Sequence, residues 1–118
     1  MKRRFLHAKI HRAAITEANL NYSGSISIPL DLMEAAGIAE YEQVQLVNIN
    51  NGIRFETYVI KGVRGSGNIC LNGAAARLAV IGDRVIIMSY ADLDADEVAA
   101  HKPVILVLDE TNTVIASK

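Results

Sequence analysis

A small closed β-barrel with short helices is the fold class that the sequence predicts. Short β-rich runs recur along the whole chain, turn residues punctuate them, and one strand, helix, turn and strand pattern occurs twice.

The runs, in chain order, are AKIHRAAIT, SISIPL, QVQLVNI, RFETYVIKGV, NICL, RVIIMSY and PVILVLD, each carrying Val, Ile, Tyr or Thr. Asn50-Asn51-Gly52 lies between the third and fourth and predicts a hairpin, because Asn and Gly tolerate positive φ. Gly65-Ser66-Gly67 reads as a second hairpin turn. No helix-opening Gly-Lys-Ser/Thr follows it, which argues against a phosphate cradle. Two helical segments interrupt the strands. LDLMEAAGI is stopped by Gly37, and GAAARLAVI is preceded by Asn72 as its cap and ends near Gly82. The repeated pattern spans about 28 to 49 and 69 to 88. Two such halves suit a pseudo-twofold closed barrel, which removes the edges that so many apolar strands would expose. Beyond Tyr90, ADLDADEVAAHKP has room for one helical turn, and PVILVLDETNTVI reads as a final strand or hairpin.

Composition narrows the function classes. With 118 residues, 51% hydrophobic content and a net charge of −1 from 12 basic and 13 acidic side chains, one soluble domain with one core is expected. Such a chain buries roughly 65–70% of the surface its unfolded form exposes, so oligomerisation would add stability. The single Cys70 excludes an intrachain disulfide. Met1-Lys2-Arg3-Arg4 leads into no apolar stretch long enough for a signal peptide or a membrane span, so a cytoplasmic chain without membrane contact is expected. Near-neutral charge argues against extensive nucleic-acid binding, which needs a basic footprint. Lys2, Arg3, Arg4, Lys9 and Arg12 make only the first dozen residues basic, and they read as a solvated amino-terminal edge.

Several residues can do chemistry. In NYSGS, residues 21 to 25, the Ser25 hydroxyl neighbours the Gly24 carbonyl, a peptide bond with little side-chain bulk to shield it. Lys9 and His11 alternate and so share one strand face, the usual mark of a polar face. In RFETYVI, Arg54, Glu56 and Tyr58 fall on one side and Phe55, Thr57 and Val59 on the other. That spacing reads first as a solvated face opposite a core face, yet Arg54 and Tyr58 also supply a carboxylate clamp and a phenolic proton donor. Cys70 between Ile69 and Leu71 reads as buried packing, and three scattered histidines lack metal-ligand spacing.

Taken together, KIHRAAIT with NLNYSGSISI, then NNGIRFETYVI, RGSGNICLNGAAARL and GDRVIIMSY resemble the pyruvoyl-dependent aspartate 1-decarboxylases, in order and at the family's intervals over roughly residues 5 to 91. The resemblance implies a six-stranded double-psi β-barrel with short helices, spanning 1–118 as a single domain. It also implies a homotetramer with active sites between subunits, and conversion of L-aspartate to β-alanine and CO2 for pantothenate biosynthesis. By the same resemblance the chain cuts itself between Gly24 and Ser25, into a short β chain (1–24) and an α chain (25–118). Ser25 Oγ attacks the Gly24 carbonyl to form an ester, and elimination and hydrolysis leave a pyruvoyl group at residue 25. That group replaces pyridoxal phosphate, forms a Schiff base with the substrate amine and needs no metal. Gly24 is expected to admit a strained backbone there.

Carried over residue by residue, Thr57 polarises the Gly24 carbonyl during cleavage and also lines the substrate site, and Asn72 orients the nascent group. Arg54 holds a substrate carboxylate, Lys9 adds positive potential, and the backbone at Gly73, Ala74 and Ala75 contacts substrate. Tyr58 protonates the carbanion, while His11 and Tyr22 match positions lining the site. The resemblance leaves open whether a maturation factor assists cleavage. Pro29 departs from the family, where many relatives carry an acidic residue, and the match weakens after Tyr90. SISIPLDLMEAAGIAEYEQVQLVNI also resembles small swapped-hairpin transcription regulators that bind DNA as dimers, but those are shorter and more basic and have no use for Gly24-Ser25, Arg54 and Tyr58 together.

Overall fold

Apolar residues at every second position lay down the strands, and the computed structural model describes residues 1–118. The strands are β1 (Arg3–Ala14), β2 (Glu17–Asn19), β3 (Ser25–Pro29), β4 (Gln43–Asn48), β5 (Arg54–Gly62), β6 (Cys70–Asn72), β7 (Arg84–Leu93), β8 (Val104–Leu108) and β9 (Val114–Ser117). They pair in the order β2-β6-β3-β5-β4-β7-β1-β8-β9. β1 runs almost directly into β2, so one stretch of chain pairs with β7 on one side and with β6 on the other. Between them the Ile15 amide donates to Asp83 O and the Thr16 amide to Ile69 O, both at 2.9 Å. Hydrogen bonding therefore turns back on itself in a barrel-like ring. The mainly β class with short helices is as expected, but nine strands are defined where the resemblance implied six.

The core fills the inside of this ring. Leu71, Ile26 and Val59 are fully buried register partners across β6, β3 and β5. Each contributes about 1.5–3 kcal/mol relative to exposure. The neighbouring residues of those strands necessarily face the other way, and that face carries the polar residues described below.

Between β3 and β4, the helix α1 (Leu30–Ala36) ends at Gly37, whose φ of 75° is left-handed. The Gly37 amide donates to Glu34 O and the Ile38 amide to Met33 O, a Schellman closure. The hairpin at Asn50-Asn51-Gly52 joins antiparallel β4 and β5. The second repeat passes from β6 through a 3-10 turn, Gly73–Leu78, into β7. The tail holds both features expected of it. α2 (Ala95–Val98) is a single turn closed by a capping box between Asp94 and Glu97, and β8 and β9 form a hairpin.

Three expectations are corrected. Gly65-Ser66-Gly67 is not a hairpin turn, because β5 and β6 do not pair with each other and the loop carries the chain across to the far side of β3. The basic first dozen residues are solvated as expected at Lys2, Arg3, Arg4 and Arg12, but they do not form a sheet edge, since β1 pairs with both β7 and β8. Asn72 holds the N-cap position of its 3-10 turn but makes no side-chain cap bond, because its amide is engaged elsewhere.

Candidate active site

Ser25 opens β3 and is fully buried. Its Oγ donates to Ser23 O at 3.3 Å and accepts a hydrogen bond from Asn72 Nδ2 at 2.9 Å. Asn72 is its register partner across β6, so the side chains meet as a cross-strand pair. The same Nδ2 donates to Ser27 Oγ at 3.2 Å, and the Cys70 thiol donates to Asn72 Oδ1 at 3.1 Å. Burial, and after it the Glu17 carboxylate, push the Cys70 thiol up from its ordinary pKa. The thiol is therefore a proton donor here, as well as the packing residue the sequence suggested.

β5 supplies the next pair. It lies parallel to β3 with Ile26 beside Val59. Continuing that register one residue back puts Ser25 abreast of Tyr58, on the face turned away from the core row. Two residues back, Gly24 comes abreast of Thr57. Both Thr57 and Tyr58 are half-buried.

Gly73 follows Asn72 with a φ of 64°, and a Cβ on it would lie 2.7 Å from both Cα and N of Gly24 and 2.8 Å from Tyr22 O. Gly73 thus packs against the backbone of Tyr22 and Gly24. Gly24 itself departs from expectation. Its φ is not among the positive ones, and an added Cβ would meet nothing within 4 Å. By this geometry a glycine is required at 73 rather than at 24.

The remaining predicted residues are dispersed within one chain. Ala74 is exposed, Ala75 packs half-buried against the core, and the Tyr22 side chain is 63% exposed. Arg54 is exposed four positions before Tyr58, where its Nη1 donates to Gln45 Oε1 at 2.9 Å; Tyr90 Oη donates to the same oxygen at 2.8 Å. Lys9 and His11 lie on β1, with β7 and β4 between them and β5. His11 Nδ1 is buried without a hydrogen-bond partner, and burial, then Lys9, Arg12, Lys118 and Arg84, lower its pKa.

A cleft of about 260 Å³ lies apart from Ser25, lined by Arg4, Glu42, Gln45, Glu56, Tyr90 and Asp92 among others. It borders the predicted set through Gln45, the hydrogen-bond partner of Arg54, and through Gln43 and Val44, the register partners of Tyr58 and Thr57. Ser23, Ser27 and Gln45 were missed by sequence reasoning. Ser27 carried a usable signal, since it alternates with Ser25 on one strand face, whereas Gln45 had none because it meets Arg54 only through strand pairing.

The arrangement offers a buried hydroxyl, a neighbouring glycyl carbonyl, an amide holding the hydroxyl and, by strand register, a phenol alongside. Comparison with known proteins agrees in outline. Residues 1–115 match the profile of the family described as Aspartate decarboxylase. A protein named Aspartate 1-decarboxylase from Caldicellulosiruptor saccharolyticus is 64% identical over 110 residues, 93% of this chain and 86% of its own. Proteins of the same name from Exiguobacterium sibiricum and Staphylococcus aureus are 60% and 57% identical, covering 97% and 98% of this chain and 90% and 91% of theirs. No helix is long and apolar enough to cross a membrane.

Proposed function

The chain belongs to the aspartate decarboxylase family, and from that premise we propose that it converts L-aspartate to β-alanine and CO2 for pantothenate biosynthesis, using a pyruvoyl group made from its own Ser25. The observation that carries the proposal is the buried Ser25 hydroxyl, next to the Gly24 carbonyl and fixed between Asn72 Nδ2 and Ser23 O. A serine kept only for packing would not need both bonds.

Ser25 Oγ forms a bond to the Gly24 carbonyl carbon as the Gly24–Ser25 C–N bond breaks, and its proton passes to the freed amine. Loss of the Cα proton and cleavage of the Cβ–O bond release residues 1–24 with a carboxylate end. Addition of water and departure of ammonia leave a ketone at residue 25. Thr57, abreast of Gly24, polarises the carbonyl under attack. Residue 25 and its surroundings fit such a group. The position is fully buried, and Asn72 Nδ2 keeps a hydrogen to offer it when Oγ is gone.

A pyruvoyl group at residue 25 would supply an electrophilic carbonyl for the substrate amine and a sink for the electron pair released with CO2. Arg54 grips a substrate carboxylate, for which it keeps donors beyond the one given to Gln45. Tyr58 Oη holds the proton delivered to the substrate α-carbon. Lys9 and His11, on a strand that pairs with neither β3 nor β5, reach the site from a neighbouring subunit of a homotetramer. The DNA-binding alternative has no observation in its favour, as the family match runs through the segment that suggested it.

Intact mass spectrometry tests the proposal. Purified protein should resolve into residues 1–24 and 25–118, the second blocked at its amino terminus, while Ser25→Ala folds and stays whole. A wild-type chain that remains uncut after prolonged warm incubation, alone and with cell extract, overturns it.

A further inference from the structure

Four side chains share one face of the antiparallel β3–β6 pair, with Ser25 opposite Asn72 and Ser27 opposite Cys70. Asn72 stands at the centre. Its Nδ2 donates to Ser25 Oγ at 2.9 Å and to Ser27 Oγ at 3.2 Å, and its Oδ1 accepts from Cys70 Sγ at 3.1 Å. A carboxamide carries two N–H hydrogens and one oxygen, so both hydrogens and the oxygen are occupied by side chains. We infer that Ser27 and Cys70 are positioning residues for the Ser25 hydroxyl, acting through Asn72. The inference rests on the reading of Ser25 as the self-cleaving residue.

The two ends of an amide have nearly the same shape and differ only in what they donate or accept. A thiol hydrogen at one end selects oxygen there and turns the NH2 group towards the serines. Burial and Glu17 keep the thiol protonated, and Asn72 Oδ1 at 3.1 Å lies nearer to it than Leu71 O at 3.7 Å. Ser27 then holds the second N–H, which stops the amide rotating. With the amide so fixed, Ser25 Oγ gives its hydrogen to Ser23 O and one lone pair to Asn72, leaving the other lone pair for the Gly24 carbonyl carbon. Were the amide reversed, Oδ1 would face Ser25 and compete with Ser23 for its hydrogen. Asn72 would then no longer hold the rotamer from which attack occurs.

Full-length chains synthesised in vitro and chased with time, with cleavage followed by gel mobility, provide the test. Cys70→Ala and Ser27→Ala should each slow cleavage roughly three- to tenfold, the range of one net hydrogen bond. Cys70→Ser should restore it, because a hydroxyl donates from the same place. In an Asn72→Ala background neither substitution should slow cleavage further, since the group through which both act is gone. A merely structural role would instead add its full effect in both backgrounds. Cys70→Val fills the space without a donor and replaces Cys70→Ala should that variant unfold. Wild-type rates in the folded single variants, or undiminished slowing in the Asn72→Ala background, overturn the inference alone. An uncut wild type overturns the reading beneath it as well.

Discussion

Gly73 lies against Gly24 so closely that a Cβ on residue 73 would come within 2.7 Å of the Gly24 Cα, while a Cβ on Gly24 would meet nothing within 4 Å. The two glycines flanking the proposed bond therefore have different requirements. Gly73→Ala must accept a left-handed backbone, at about 1–2 kcal/mol, and must also push residues 22–24 away. It should lower Tm and slow cleavage at least about tenfold, as misplacement of about an ångström does in other reacting sites. Gly24→Ala should melt close to wild type. Thermal melts of the two variants, with the fragments quantified on gels, check the contrast; equal melting would show that residue 73 tolerates a side chain.

What the sequence made legible here was local. Asn-Asn-Gly named its hairpin, Gly37 ended its helix, and the alternation in RFETYVI sorted Tyr58 from Thr57. Pairing between distant segments was not legible. Nothing near Gly65-Ser66-Gly67 says that the strand after it crosses to the far side of β3, because that choice is made by burial of Leu71 beside Ile26. Asn72 looked like a cap because its neighbours are helical, yet a cross-strand serine is the partner it takes. How the tail docks was opaque for the same reason, although its helical turn and hairpin were not. Asn112 is buried with a φ of 62°, and its amide bonds Ala14 N, Ala14 O and Gly67 O, tying the final hairpin to β1 and to the crossing loop.

His11 should make stability fall on the acid side. Burial, then Lys9, Arg12, Lys118 and Arg84, depress its pKa below the ordinary 6.5, so the folded chain keeps the ring neutral where the unfolded chain takes a proton. At higher pH neither state is protonated and the residue is neutral in its effect. As pH drops below 6.5 towards the lower folded value, proton uptake favours unfolding. His11→Gln should therefore lose less Tm than wild type between about pH 7 and about pH 5. Identical slopes by calorimetry would show that the ring is not held neutral.

Arg54→Lys should still be processed, because Arg54 stands three positions back from Thr57 along β5 and has no contact with Ser25. Substrate binding should suffer instead. Arg54 can share one N–H with Gln45 and keep a planar pair for a carboxylate, whereas an ammonium makes a point contact. KM for aspartate should rise about tenfold or more, the scale of one lost charge-assisted bond, with kcat changed far less. Parental KM in the processed variant would remove Arg54 from the site.

Tyr58 should separate the proposed self-cleavage from turnover, although both would draw on one stretch of β5. By strand register its side chain lies abreast of Ser25, on the face that also carries Asn72, Ser27 and Cys70. Thr57 lies abreast of Gly24 and faces the opposite way. Removing the phenolic oxygen leaves the Ser25, Asn72 and Ser23 contacts intact, so Tyr58→Phe should cleave at the wild-type rate. Decarboxylation is a different matter, since the α-carbon left by CO2 needs a proton and Arg54 stands about 13 Å back along the strand at roughly 3.3 Å per residue. Turnover in fully processed Tyr58→Phe should drop about 10²-fold, in line with loss of a positioned proton donor. Mass spectrometry to confirm processing and a β-alanine assay decide the outcome. Parental turnover would require another source of the proton. Water or His11 would then be the next candidate.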